Sequence, residues 1–117
     1  MLSLSAATRV FIAVGATDMR KGFDGLYGLV KQHLNQDPLS GALFLFANRR
    51  RDRLKVLYWD GDGLAIWYKR LEQGTFQLPK SMGTDTHIEI RSDEFTMLLR
   101  GIELESIKRR KRYSLVS

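Results

Sequence analysis

Asp60-Gly61-Asp62-Gly63 stands between LKVLYW (54–59) and LAIWYKRL (64–71), two runs rich in aromatic and β-branched residues. An Asp-Gly pair in that setting is the strongest short-range hairpin signal, because glycine takes positive φ without steric cost. A third apolar run, ALFLFA (42–47), lies just upstream across a short polar turn. The three segments therefore predict an antiparallel meander, and the rest of the chain has to pack on it. Period-two alternation puts Lys55, Leu57 and Trp59 on one face of their strand and Leu54, Val56 and Tyr58 on the other. Across the hairpin, Trp67 and Lys69 share one face, and Ile66, Tyr68 and Arg70 the other. Trp59 and Trp67 read first as core residues. Each face also mixes aromatic with basic side chains, a composition suited to stacking on bases or touching phosphate.

Flanking segments supply the remaining elements. RVFIAV (9–14) predicts a mostly buried strand ended by Gly15. Met19, Phe23, Leu26, Val30 and Leu34 then recur at helical spacing, which predicts a helix over 19–34, capped by Thr17 or Asp18 and stopped by Asn35 and Asp37-Pro38. Gly22, Gly25 and Gly28 lie three apart in it, a stripe read as close approach of the helix backbone to the sheet. Further on, TFQL (75–78), ended by Pro79, and HIEI (87–90) predict short strands. Ser92 is placed to cap a last helix over 93–101, with Asp93 and Glu94 in its first turn and Gly101 at its end. Phe95, Leu98, Leu99 and Ile102 form its apolar face. The expected fold is an α+β domain over residues 1–102: a small antiparallel sheet with helix 19–34 packed on it, followed by a basic tail, 103–117. A hydrophobic content of 44% supports one core.

The net charge of +6 is concentrated. Arg49, Arg50, Arg51, Arg53 and Lys55 form one cluster, and Lys108, Arg109, Arg110, Lys111 and Arg112 another. Together they hold 10 of the 19 basic residues and enclose one acid, Asp52; the remainder carries 9 basic and 12 acidic side chains. Local positive charge of this kind fits a polyanion partner, or equally a solvated turn and a solubilising tail. A turn between two core strands would hold its arginines at one edge of a rigid sheet, where binding residues concentrate.

Several chemistries are absent from the sequence. With no cysteine, disulfides, thiolate metal sites and cysteine nucleophiles are excluded. Asp60 and Asp62 resemble the opening of a calcium loop, but the later ligands are missing, and a hairpin accounts for them. His33 and His87 are isolated, and no nucleophile elbow, phosphate loop or dinucleotide fingerprint is present. A non-enzymatic protein without a cofactor is expected. The N-terminal stretch lacks a basic n-region and has no apolar run near the roughly 20 residues of a membrane span, so no membrane association and a cytoplasmic location are expected.

TDMRKGFDGL (17–26) and NRRRDRLKVLYWDGDGLAIWYKRLEQGTFQLP (48–79), in that order, closely resemble the small TnpB-type accessory protein of insertion sequence 66 elements. The resemblance extends over roughly residues 9–102, including the DPLSGALFLFANRRRDR join. It implies a role in DNA transposition, with the DNA-cleaving carboxylates carried by the partner transposase. It also favours DNA as the partner of the 48–55 segment. Arg20 and Lys21 would add charge at the start of helix 19–34, where a phosphate could sit at the helix N-terminus. The alternative is a module that docks on the transposase without touching DNA. A weaker third possibility is a metal-dependent nuclease built on Asp18, Asp60 and Asp62.

Overall fold

Strands and helices alternate at the start of the chain, then give way to a meander. The computed structural model describes residues 4–81 and 83–100. In chain order the elements are β1 (Val10–Ala13), α1 (Phe23–Gly28) with a π-helical continuation (Leu29–His33), β2 (Leu43–Ala47), β3 (Arg53–Trp59), β4 (Leu64–Arg70), β5 (His87–Ile90) and α2 (Ser92–Leu99). They build one five-stranded sheet in the order β4-β3-β2-β1-β5. The meander forms as the sequence predicts, with Leu57 opposite both Phe44 and Ile66. In the loop after β3, Gly61 has φ +87° and the Asp60 N–H donates to the Gly63 carbonyl at 2.8 Å.

The sheet is mixed rather than wholly antiparallel. The helical crossover returns the chain in its original direction, so β1 runs parallel to β2. β5 then pairs antiparallel on the outer side of β1. Alternation sends Phe11, Phe44, Phe46 and Leu57 to the face covered by α1, and Val10, Ile12, Leu45, Leu54 and Val56 to the face covered by α2. Because both faces are buried, β1 and β2 are apolar at every position. Trp67 packs half-buried against the α2-side cluster, and Trp59 is half-buried at the end of β3.

The first helix is shorter than its apolar spacing predicts. It starts at Phe23, and its first backbone bond runs from the Leu26 N–H to the Gly22 carbonyl at 3.0 Å. A helix over 19–34 would use the Met19 and Lys21 carbonyls for its own ladder, but both accept hydrogen bonds from the Lys55 ammonium instead. Residues 17–22 are therefore a loop, neither Thr17 nor Asp18 caps the helix, and Phe23 is 50% exposed. Past Gly28 the helix widens, and the Leu34 N–H bonds back five residues to Leu29. A spacing of four drifts by about 40° per step on a 3.6-residue repeat. The wider turn offsets part of that drift, and Leu26, Val30 and Leu34 all stay buried.

The glycine stripe does not meet the sheet. A Cβ on Gly28 would point into open space, and the nearest neighbour of one on Gly25 would be the Lys21 side chain, at 3.1 Å. Segment 75–78 is not a strand either. Its Phe76 N–H donates to the Arg51 carbonyl at 2.7 Å, and its ring is buried beneath the sheet, so the segment is bound to a turn rather than to a ladder. In α2, Ser92 is the first helical residue and Arg91 takes the cap position; Glu94 Oε1 accepts the Arg91 N–H at 2.9 Å. Phe95 and Leu98 are buried as expected. Gly101, Ile102, the 103–117 tail and its Lys108–Arg112 cluster lie outside the described residues.

Candidate nucleic-acid interface

Asn48 organises the arginine turn. Its Oδ1 accepts the N–H groups of Asp52 and Arg53 at 3.1 and 3.0 Å, and its Nδ2 donates to Asp52 Oδ1 at 2.6 Å. The Arg51 N–H donates to the Asn48 carbonyl at 3.1 Å, and Arg51 itself sits in the left-handed region at φ 57°. Neighbouring segments hold the turn from outside: Phe76 donates to the Arg51 carbonyl, Leu71 to the Asp52 carbonyl and Thr17 to the Ala47 carbonyl, at 2.7, 2.7 and 2.8 Å. The Asn48 hydrogen bond holds the Asp52 carboxyl below the usual carboxylate range; desolvation opposes this, and nearby Arg50 and Arg53 add to it. Asn and Asp are thus the structural residues of NRRRDR. The Asn48 side chain bonds backbone four and five residues away, as this type commonly does in turns, and the Asp52 carboxylate braces the Asn48 amide.

The basic residues fall into distinct environments. Arg49, Arg50 and Arg51 are exposed, and none has a carboxylate within ion-pair distance among the described residues. Arg53 is half-buried, and its Nη1 donates to Tyr68 Oη at 3.1 Å. Lys55 is 9% exposed; its Nζ donates to the Met19 and Lys21 carbonyls at 2.7 and 2.8 Å and lies 4.9 Å from the Tyr68 ring centroid. That ammonium fastens the 17–22 loop to the sheet instead of facing solvent. The buried lysine follows from the strand alternation, but its partners come from a loop distant in sequence.

Four arginines outside the turn are each paired with an acid. Arg9 pairs with Glu89 at 2.9 Å, Arg70 with Glu72 at 3.0 Å and Arg91 with Asp93 at 3.0 Å. Arg20 is held by Asp18, with its Nη2 2.7 Å from Oδ2 and its backbone N–H 2.9 Å from Oδ1. These bonds lower the Asp18 pKa to about 2. Arg20 and Lys21 are both exposed, and of the two only Arg20 has a carboxylate within ion-pair distance among the described residues. α1 begins after both, with Gly22 at its N-cap and Lys21 directly before that position.

The turn forms a ridge between two concavities. On one side Thr17, Asp18, Arg49, Arg50 and Arg53 line an open recess of about 500 Å³, Arg49 bordering both concavities. On the other, Arg49 and Arg51 stand over a cleft of about 410 Å³ at the ends of β1 and β2. Asp18 belongs to this end of β3, and Asp60 and Asp62 to the other. A strand of that length spans roughly 20 Å, too far for three carboxylates to share one ion. No group of three or more His, Asp or Glu among the described residues could hold a metal, and no helix among them is long and apolar enough to cross a membrane.

Comparison with known proteins identifies the setting. The family model described as IS66 Orf2 like protein matches residues 8–109. Uncharacterized protein y4jC of Sinorhizobium fredii (strain NBRC 101917 / NGR234) is 36% identical over 110 residues, covering 94% of this chain and 92% of its own. Uncharacterized protein y4hO of the same organism is 41% identical over 103 residues, covering 88% of each chain. No solved structure matches. The chain belongs to the IS66 Orf2-like family, the TnpB-type accessory proteins of insertion sequence 66 elements, and its setting is transposition.

Proposed function

We propose that this accessory protein acts by binding DNA, and that the 48–53 turn grips phosphates rather than reading bases. One observation carries the reading. The arginines outside the turn at positions 9, 20, 70 and 91 are each paired with an acid, whereas Arg49, Arg50 and Arg51 are exposed, with no carboxylate within ion-pair distance among the described residues, on a turn tied at three backbone points. Guanidinium groups presented this way pair readily with phosphate oxygens. Three consecutive arginines on one ridge cannot all reach base edges, so binding should depend little on sequence. Arg53 contributes from behind the ridge. Lys55, with its nitrogen committed to backbone carbonyls, is left out. Lys21 and the Lys108–Arg112 cluster are further candidates on charge, and Arg20 contributes little beside Asp18. The transposase of the same element is the proposed protein partner.

The test is DNA affinity measured across a salt series. Log K should fall linearly with log salt, and Arg49→Ala combined with Arg50→Ala should flatten the slope by about 1 to 2, near 0.9 per lost phosphate contact on duplex DNA. Folding should change by no more than about 0.5 kcal/mol, as usual for exposed positions. A folded double variant with the full slope would move the contact to the 108–112 cluster. Absence of affinity at low salt, with and without transposase, would leave docking on an acidic face of the transposase as the function.

A further inference from the structure

The cleft beside the arginine ridge has a composition that phosphate binding alone does not use. β1 and β2 run parallel and end side by side at Ala13 and Ala47, and the chain then leaves one for the 14–22 loop and the other for the arginine turn. Ligands of sheets with parallel strands commonly sit outside such carboxyl ends, where the connections diverge. Here the space is about 410 Å³, within the roughly 300–1,000 Å³ typical of sites that bury a small organic ligand. Ile12, Leu78, Pro79 and Ile88 give it an aliphatic part, beside polar Asn48, Lys80 and Ser81. Gly15 and Ala16 form a low lip, where even a Cβ on Gly15 would touch nothing within 4 Å. Arg49 and Arg51 stand at the rim.

A partly apolar slot lined also by guanidiniums without a carboxylate partner among the described residues suits a ligand with a flat, weakly solvated body and anionic groups on either side. A nucleotide in a strand has that shape. Extruded bases are commonly held between apolar side chains, and phosphates by arginine. A base stacked inside an intact duplex cannot enter, because it is recessed behind its own backbone. We infer that the cleft takes a single unpaired nucleotide, with its base against Ile12, Leu78 and Ile88 and its flanking phosphates on Arg49 and Arg51. The protein is then selective for frayed or single-stranded DNA, such as a strand end, over flush duplex. This inference rests on the phosphate-binding reading above and adds the class of DNA.

Flush duplex, the same duplex with an unpaired thymine overhang, and single-stranded oligothymidine serve as the three probes, with Ala16→Trp and, on the opposite wall, Ser81→Trp as variants that fill the cleft from exposed or half-exposed positions. The overhang should bind at least about five-fold tighter than flush duplex, which burial of about 40 Å² of apolar base surface at about 25 cal/mol per Å² supplies. Either folded variant should abolish that preference while keeping flush-duplex affinity and salt slope. A 4-thiothymine in the overhang of the unaltered protein should crosslink to peptides covering 12–16 or 78–81. Equal affinity for flush and frayed DNA, or a preference that survives both substitutions, overturns the cleft assignment and leaves phosphate binding intact. No affinity for any probe at low salt overturns both.

Discussion

Replacing Lys55 by Met separates a structural lysine from a DNA-binding one. The Lys55 ammonium is buried, 2.7 Å from the Met19 carbonyl and 2.8 Å from the Lys21 carbonyl. Hydrogen bonds from a charged donor contribute about 1.5–3 kcal/mol each, so the pair gives an upper figure of roughly 3–6 kcal/mol. Two effects reduce it. Lys21 is exposed, so its carbonyl can regain water, and Met keeps the aliphatic packing without the desolvation of an ammonium. A net loss of about 2–4 kcal/mol remains. For a domain of this size, about 4 °C per kcal/mol converts this to a drop in Tm of roughly 8–16 °C. Calorimetry measures the total. Amide exchange locates it, since protection should fall first in the 17–22 loop and at the start of α1. Unchanged stability would refute the reasoning. If the variant also lost one phosphate contact from its salt slope, Lys55 would be a DNA ligand as its place in the basic cluster first implies.

Gly28 has helical φ −61° and ψ −40°, and an added Cβ there meets nothing within 4 Å. Gly28→Ala should therefore stabilise the protein by about 0.5–1 kcal/mol in a denaturant titration, and destabilisation would mean that the helix backbone does meet a neighbour. The Asp18 carboxyl, lowered to about 2 chiefly by its hydrogen bonds to Arg20, contributes stability that is present above its ordinary value of 3.8 and is lost as pH falls from there through about 2. A carboxyl carbon NMR titration should show that low midpoint, and Arg20→Ala should return it toward 3.8.

The meander, both core faces, the last helix and the family were legible in the sequence because each depends on local pattern. Period-two alternation fixes a face, Asp60-Gly61 fixes a hairpin, and a run of apolar residues such as 42–47 marks a strand buried on both sides. The larger failures involve groups that meet across long stretches of chain. The helix over 19–34 had the right apolar spacing, but Lys55, more than thirty residues away, captures the carbonyls its first turn needs. TFQL has strand composition, yet its backbone bonds a turn, which no property of four residues encodes. The parallel pairing of β1 with β2 is likewise a consequence of the crossover and not of either strand's sequence.

The arginine turn shows the same division. Composition located the charge, and the sequence alone ranked Arg20, Lys55 and Arg49–Arg51 together as basic residues. Tertiary structure separates them, because the field a cation offers to a ligand depends on what already surrounds it. Asp18 pairs with Arg20, two backbone carbonyls hold Lys55, and the outward-facing arginines of the turn have no carboxylate within ion-pair distance among the described residues.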